Sequence, residues 1–228
     1  MKIGIIFAMQ EELDAFLSKV DDFKSETCKS LKVYHVKHNS HNCVCVLSGI
    51  GKVNAAYATT LLINTYAVEA VLNSGVAGGV NVALGTTIIA SGVVHHDVDV
   101  TAFNYAYGQV PGAEAVFKSD KALKALAMDI AEQAGIHYRS GMIASGDQFI
   151  TRKASIEAIL ALYENVYAVE MEAAAIAQVC TLEKVPHLIL RAISDVIGEP
   201  AQSEGFSAFL AESSENAAKL LVKLIDAL

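Results

Sequence analysis

This chain of 228 residues is short of positive charge. Seventeen lysines and arginines stand against twenty-five acidic residues, a net charge of -8, so there is no basic stripe to grip a phosphate backbone and no nucleic-acid partner is expected. Arginine is confined to Arg139, Arg152 and Arg191. Proline is as scarce, at three residues, and no shift in composition marks a linker, so residues 1–228 read as one domain. No apolar run approaches the ~20 residues of a membrane helix. The opening run ends at Met9 and meets Gln10-Glu11-Glu12, too short for the apolar part of a secretion signal. A cytoplasmic protein with no membrane partner is expected. The four cysteines, Cys28, Cys43, Cys45 and Cys180, lack metal-ligand spacing and read as reduced, buried thiols. Walker-type loops, serine elbows and zinc-helix motifs are also missing.

What is present is a series of apolar runs, at about 2–8, 31–37, 42–48, 69–75, 86–94, 140–146, 166–171 and 186–194, bounded by polar or glycine punctuation. Helical spacing fills 51–63, 121–133 and 171–182. In the C-terminal segment Phe206, Phe209, Leu210, Ala217, Leu220, Leu221, Leu224 and Leu228 repeat on one face. Near-continuous runs such as Val185 to Ile193 suit strands covered on both sides, which predicts a three-layer αβα domain around a central, twisted, mixed β-sheet. Residues 94–117 hold aromatics and glycines without a period, and such long excursions are often functional.

Several chemistry-bearing residues follow strand-like runs. Glu12 stands in the first turn of a probable helix, where the helix dipole alone would favour it. Asn73-Ser-Gly75-Val-Ala-Gly78-Gly79 allows close backbone approach or merely a tight turn. Phe149 and Ile150, after Ser145-Gly-Asp147-Gln, could sandwich a flat ring or pack a core. Ala168-Val-Glu170-Met-Glu172 and Arg191-Ala-Ile-Ser194-Asp195 each end an apolar run on carboxylate. If these ends share one edge of a mainly parallel sheet, they assemble a ligand site. His95-His96-Asp97 invites a metal reading, but neighbouring histidines on a strand face opposite ways, so no metal site is expected.

In this order, seven segments resemble the purine nucleoside phosphorylase superfamily, and most closely its hydrolytic branch, the 5'-methylthioadenosine/S-adenosylhomocysteine nucleosidases. They are Gly4 to Glu12, Ser48 to Val53, Asn73 to Gly79, His96 to Gln109, Ser145 to Ile150, Ala168 to Glu172 and Arg191 to Asp195. The resemblance implies a nucleoside phosphorylase-like fold, an adenine nucleoside as substrate, no cofactor and a homodimer. It further implies that Asp195 protonates N7 of adenine, oriented by Ser194, while Glu12 activates water near Arg191. Met171 and Glu172 would hold the ribosyl hydroxyls. Phe149, Ile150, Val169, Ala77 and Gly78 would line the base site, and Met9, Ile50 and Phe206 the 5' end. Val100, Phe103, Tyr105 and Pro111 would reach the neighbouring subunit's site.

An oxocarbenium-like ribosyl cation needs such a pair: Asp195 must hold a proton to give, and Glu12 must stay ionised to accept one. The chain departs from the family's pattern at Val76, where serine is common, at Phe7, expected to tighten the first loop, and in the Pro200-containing stretch 196–205, which bears on the register of Phe206. Two rival readings are a phosphate-dependent phosphorylase, which would need cations that this chain scarcely has, and a non-catalytic nucleoside-binding protein, which would not need both Glu12 and Asp195.

Overall fold

The computed structural model describes residues 1–20, 22–39, 41–200 and 202–228. The chain opens with β1 (Lys2–Phe7) and α1 (Gln10–Leu17), then β2 (Asp22–Cys28), β3 (Leu31–His38) and β4 (His41–Leu47), and α2 (Lys52–Tyr66). β5 (Ala70–Gly79) and β6 (Thr87–His95) lead into the long excursion, which carries one 3-10 turn at Thr101–Phe103. The remainder is β7 (Phe117–Lys118), α3 (Lys121–Gln133), β8 (Tyr138–Ser145), α4 (Glu157–Leu162), β9 (Val166–Glu170), α5 (Ala173–Glu183), β10 (His187–Val196) and α6 (Gln202–Ala227).

Successive side chains of a strand point to opposite faces, so β1 and β4 feed two cores. Ile3, Ile5, Phe7, Cys43 and Cys45 pack under α1, α3 and α6, whereas Ile6, Val44 and Val46 pack under α2 and α5. The alanine run that opens α5 is helix-favouring and small enough for α2 to lie close against it. The result is the expected three layers. Phe7 is fully buried and packs on Phe16 of α1, with ring centroids 5.4 Å apart, so it anchors the helix that carries Glu12.

The sheet differs from a simple open one. β1 runs parallel to β4 and β5, and β10 is parallel to β5 but antiparallel to β6. β8 is parallel to β6 and β9, and β9 returns to pair with the end of β5 at Gly78 and Gly79. Five strands therefore close a ring, β5-β10-β6-β8-β9, with β1, β4, β3 and β2 continuing from β5 as an extension. Irregularities at Ala90/Gly92, Met142/Ile143 and Ile193/Asp195 add bend and twist, and accumulated twist lets a sheet close.

Other expectations need correction. β2 reads as polar and alternates weakly, and it forms because it pairs along its whole length with β3, not because it buries a face. Phe209, expected on the inward face of α6, is exposed, since apart from Gln202 the buried stripe of that helix begins only at Ser213. Cys28 is only half-buried, while Cys43, Cys45 and Cys180 are buried; all four are free thiols.

Candidate active site

On the edge of β5 that first faces β1, pairing stops at Asn73 and resumes with β9 only at Gly78. Glu12 occupies the gap. Its Oε1 accepts the Val76 N–H at 3.0 Å, and its Oε2 reaches back to the N–H groups of Ala8 and Met9 at 2.9 and 3.0 Å, a carboxylate at the third helical position satisfying the free donors of its own helix start. A side chain at residue 75 would collide with this carboxylate, so glycine is required there by space rather than by backbone conformation. Burial pushes the Glu12 carboxyl up from its ordinary range, against the pull of Arg191 and of the three N–H donors.

Asp195 reaches the same strand three residues further on. Opposite Ala77 and Gly78 the β10 register slips by one, which leaves Ser194 as the extra residue of a bulge. Bulges re-aim side chains beside sites. Here the Ser194 hydroxyl donates to Asp195 Oδ1 at 2.8 Å, and the Gln202 amide donates to Oδ2 at 2.7 Å. Gln202 also donates to the Ile150 carbonyl at 2.9 Å and accepts from Gly198 N–H at 3.2 Å, tying the loop after β10 and the start of α6 to the segment before α4.

Glu170 and Glu172 part company at the end of β9. Glu170 ends the strand and bonds the N–H groups of Glu172 and Ala173 at 3.0 and 2.8 Å, the Ser145 hydroxyl, and Arg191 Nη2 at 2.5 Å. Glu172 turns toward α2, accepting the Gly51 N–H at 2.8 Å where that helix begins. Its carboxyl is pushed up to about 8 by burial and by the charge of Glu170, against Arg191 and the Gly51 N–H. The Lys52 N–H, next along, is taken by Asp147 at 2.8 Å.

These elements enclose a cavity of about 200 Å³. Glu12, Asp195 and Glu172 line it together with Met9, Ile50, Ala77, Gly78, Phe149, Ile150, Val169, Met171 and Phe206, which brings the two opposed carboxyl groups and all the named pocket residues into one space. Phe149 and Phe206 meet edge-on at its mouth, 5.8 Å between centroids, so the 196–205 loop does deliver Phe206 there. Ala201 of that loop lies outside the described residues. Ser194 and Arg191 do not line the cavity. Ser194 acts on it through Asp195, and Arg191, 1% exposed, lies behind Gly75 and Glu170. Val100, Phe103, Tyr105 and Pro111 also lie outside this chain's own cavity; Phe103 is 74% exposed.

Reasoning from sequence missed Ala8, Val76, Gln148, Glu170, Ile197 and Gln202 in the lining. Glu170 was within reach, since an alternating strand puts it on the same side as Glu172. Gln202 carried no signal, because a glutamine opening a helix is unremarkable in sequence. The His95-His96-Asp97 run serves as a brace instead. His95 meets Gln178 at 3.1 Å, His96 packs on Gly146, and Asp97 pairs with Lys52 at 2.6 Å and accepts the Asp147 N–H at 2.9 Å.

Residues 2–226 match the family described as the phosphorylase superfamily. The chain is 43% identical over 231 residues to 5'-methylthioadenosine/S-adenosylhomocysteine nucleosidase from Bacillus cereus (strain AH187), covering 100% of both. It is similar to the solved structure of that nucleosidase from Neisseria meningitidis in complex with methylthio-immucillin-A, at 37% identity and a TM-score of 0.95, covering 100% of this chain and 99% of the other. It is also similar to futalosine hydrolase of Helicobacter pylori strain 26695, at 35% identity and a TM-score of 0.93, covering 100% and 98%. With full-length identity of this order and a ring-closed sheet that superposes throughout, the chain belongs to the phosphorylase superfamily and, within it, to the 5'-methylthioadenosine/S-adenosylhomocysteine nucleosidase family.

Proposed function

We propose that this protein hydrolyses the N-glycosidic bond of 5'-methylthioadenosine and S-adenosylhomocysteine, releasing adenine and the 5-thioribose product. One observation carries hydrolysis over phosphorolysis: among the described residues, four acidic side chains and no lysine, arginine or histidine line the cavity, which leaves no fixed cation to grip phosphate. A phosphate nucleophile would meet Glu12, Glu170, Glu172 and Asp195, and the nearby guanidinium is buried against Glu170. Water carries no charge to be repelled.

In this reading the purine lies between Phe149, Ile150, Val169 and the Ala77-Gly78 backbone, with its imidazole edge at Asp195. Protonated Asp195 gives its proton to N7 as the bond from the ribosyl carbon to N9 breaks, and the bonding electron pair leaves with the base. Glu12 takes a proton from the water whose oxygen attaches to that carbon. A carboxyl raised by burial is a stronger base than an exposed one while it stays ionised, and the Val76, Met9 and Ala8 N–H groups hold it in that form. Glu172 and Met171 hold the ribosyl hydroxyls. As positive charge grows on the ring, the nearby carboxylates stabilise it more than they stabilise the ground state.

Met9, Ile50 and Phe206 give the 5' end an apolar wall suited to a thioether. The exposed Phe103, with Val100, Tyr105 and Pro111, closes that end in the neighbouring subunit of a homodimer. The test is adenine release from methylthioadenosine in phosphate-free buffer. Release at full rate is expected, and a requirement for added phosphate would replace this reading with phosphorolysis. Release of no adenine, with binding retained, would leave a nucleoside-binding protein.

A further inference from the structure

One guanidinium serves several buried acids, and it is shared unequally. Arg191 Nη2 stands 2.5 Å from Glu170 Oε2 and 3.7 Å from Glu172 Oε2, and its other terminal nitrogen lies beside Gly75, the residue that also borders Glu12. Glu170 is held in place by more than this ion pair. Its Oε2 accepts two further N–H bonds, and its Oε1 accepts the Ser145 hydroxyl, whose oxygen in turn accepts the Ala174 N–H at 2.8 Å. A charged group with this many fixed donors is the stronger competitor for Arg191.

We infer that Glu170 is a positioning residue for the reaction: by keeping the Arg191 guanidinium close to itself, it leaves the Glu172 and Glu12 carboxyl groups turned to the cavity and free to engage sugar and water. The inference rests on the function proposed above. The charged and titratable groups facing this cluster are Glu12 from α1, Glu172 at the head of α5, and Arg191 and Asp195 from β10. At the end of β6, burial holds His95 and His96 below the usual histidine range. Asp97 beyond them is neutralised by Lys52. The elevated Glu172 carboxyl fits an acid left without close pairing beside another acid.

Glu170→Gln tests the inference because it can keep the hydrogen bonds and lose only the charge. The amide oxygen can replace Oε2, which accepts from three donors, and the amide nitrogen can donate to Ser145 once that hydroxyl rotates. With its counter-ion gone, Arg191 is expected to capture Glu172. KM for methylthioadenosine should then rise about tenfold, as for a lost charge-assisted hydrogen bond, with a smaller fall in kcat. The acidic limb of kcat/KM should move down by about 1 pH unit, since removing a negative charge lowers the proton affinity of its neighbours. Glu170→Asp, which retains the charge, should return the limb to the parent position.

A purely structural part for Glu170 would lower the melting temperature and kcat and leave the limb in place, and that result overturns the inference. So does a glutamine variant that fails to fold while the aspartate variant folds. A parent protein that releases no adenine in the same assay would instead remove the proposed function.

Discussion

Gly75→Ala puts one methyl group where the proposed base has to stand. The added carbon would lie 2.9 Å from Glu12 Cδ and closer still to Oε1, with Arg191 Nη1 at 3.3 Å on the other side. An ordinary contact of 3.4 Å or more requires the carboxylate to retreat by at least about 0.5 Å, and the nearer oxygen by more. β5 cannot yield instead, because β10 pairs with it from Val71 to Gly79. The retreat stretches the 3.0 Å bond from Val76 and moves the carboxylate along the line on which water must be held. A displacement near 1 Å costs roughly 10²-fold in rate. Adenine release at saturating methylthioadenosine is therefore expected to fall about a hundredfold, with the destabilisation confined to the ~1–3 kcal/mol of an overpacked core, read from thermal melting. Gly78→Ala is the internal control. Its methyl would meet Asp195 Oδ2 at 3.1 Å, a few tenths too close, so the loss there should stay below about tenfold. In a Glu12→Ala background, adding Gly75→Ala should change nothing further, since the group it displaces is gone. A Gly75→Ala enzyme within threefold of the parent, correctly folded, would refute the claim that Glu12 works from this seat on β5.

Asp195→Asn is expected to slow adenine release by about 10²–10⁴-fold while nucleoside binding, measured by calorimetry, survives. The folded chain holds a proton on Glu172, at about 8 against an ordinary 4.5, that the unfolded chain has already released. The contribution of Glu172 to stability should therefore decline as pH rises from about 4.5 to 8, with Glu12 acting in the same direction and the buried His95, His96 and His187 in the opposite one, so Glu172→Gln should lose less stability than the parent across that range in melting scans. If the proposed homodimer forms, Phe103→Ser, at a ring 74% exposed on the isolated chain, should weaken it at least about tenfold by sedimentation and raise KM for substrates with an apolar 5' group.

The apolar runs located eight strands because a strand inside a three-layer domain must be apolar almost throughout, as β10 and β5 are. α3 could be bounded from its sequence because its apolar spacing is regular, and the fold adds an Asp120 cap with two hydrogen bonds. β2 stayed hidden because its stability comes from a ladder to β3, and a ladder leaves no mark on side chains that face water. In the site, Met9, Ile50 and Phe206 came from the resemblance to the family, whereas Glu12, Phe149, Glu172 and Asp195 stand just after strand-like runs and were legible there. Residues that hold other residues were not: Glu170 looks like any strand-end acid until Arg191 is found beside it, and Gln202 acquires meaning only when the sheet curls to bring Ile150 and Asp195 within reach of one amide. The ring closure itself escaped notice because it depends on where β9 meets β5, a contact of two residues on each strand.

The break in the β5 edge between Asn73 and Gly78 has an evolutionary corollary. Glu12 there does what a neighbouring strand would do, accepting the main-chain N–H of the buried Val76. A descendant that abandoned chemistry and drifted toward pure ligand capture would have to give Val76 another acceptor, a side chain or a cavity water, so the acid that makes the scaffold an enzyme also completes its strand pairing.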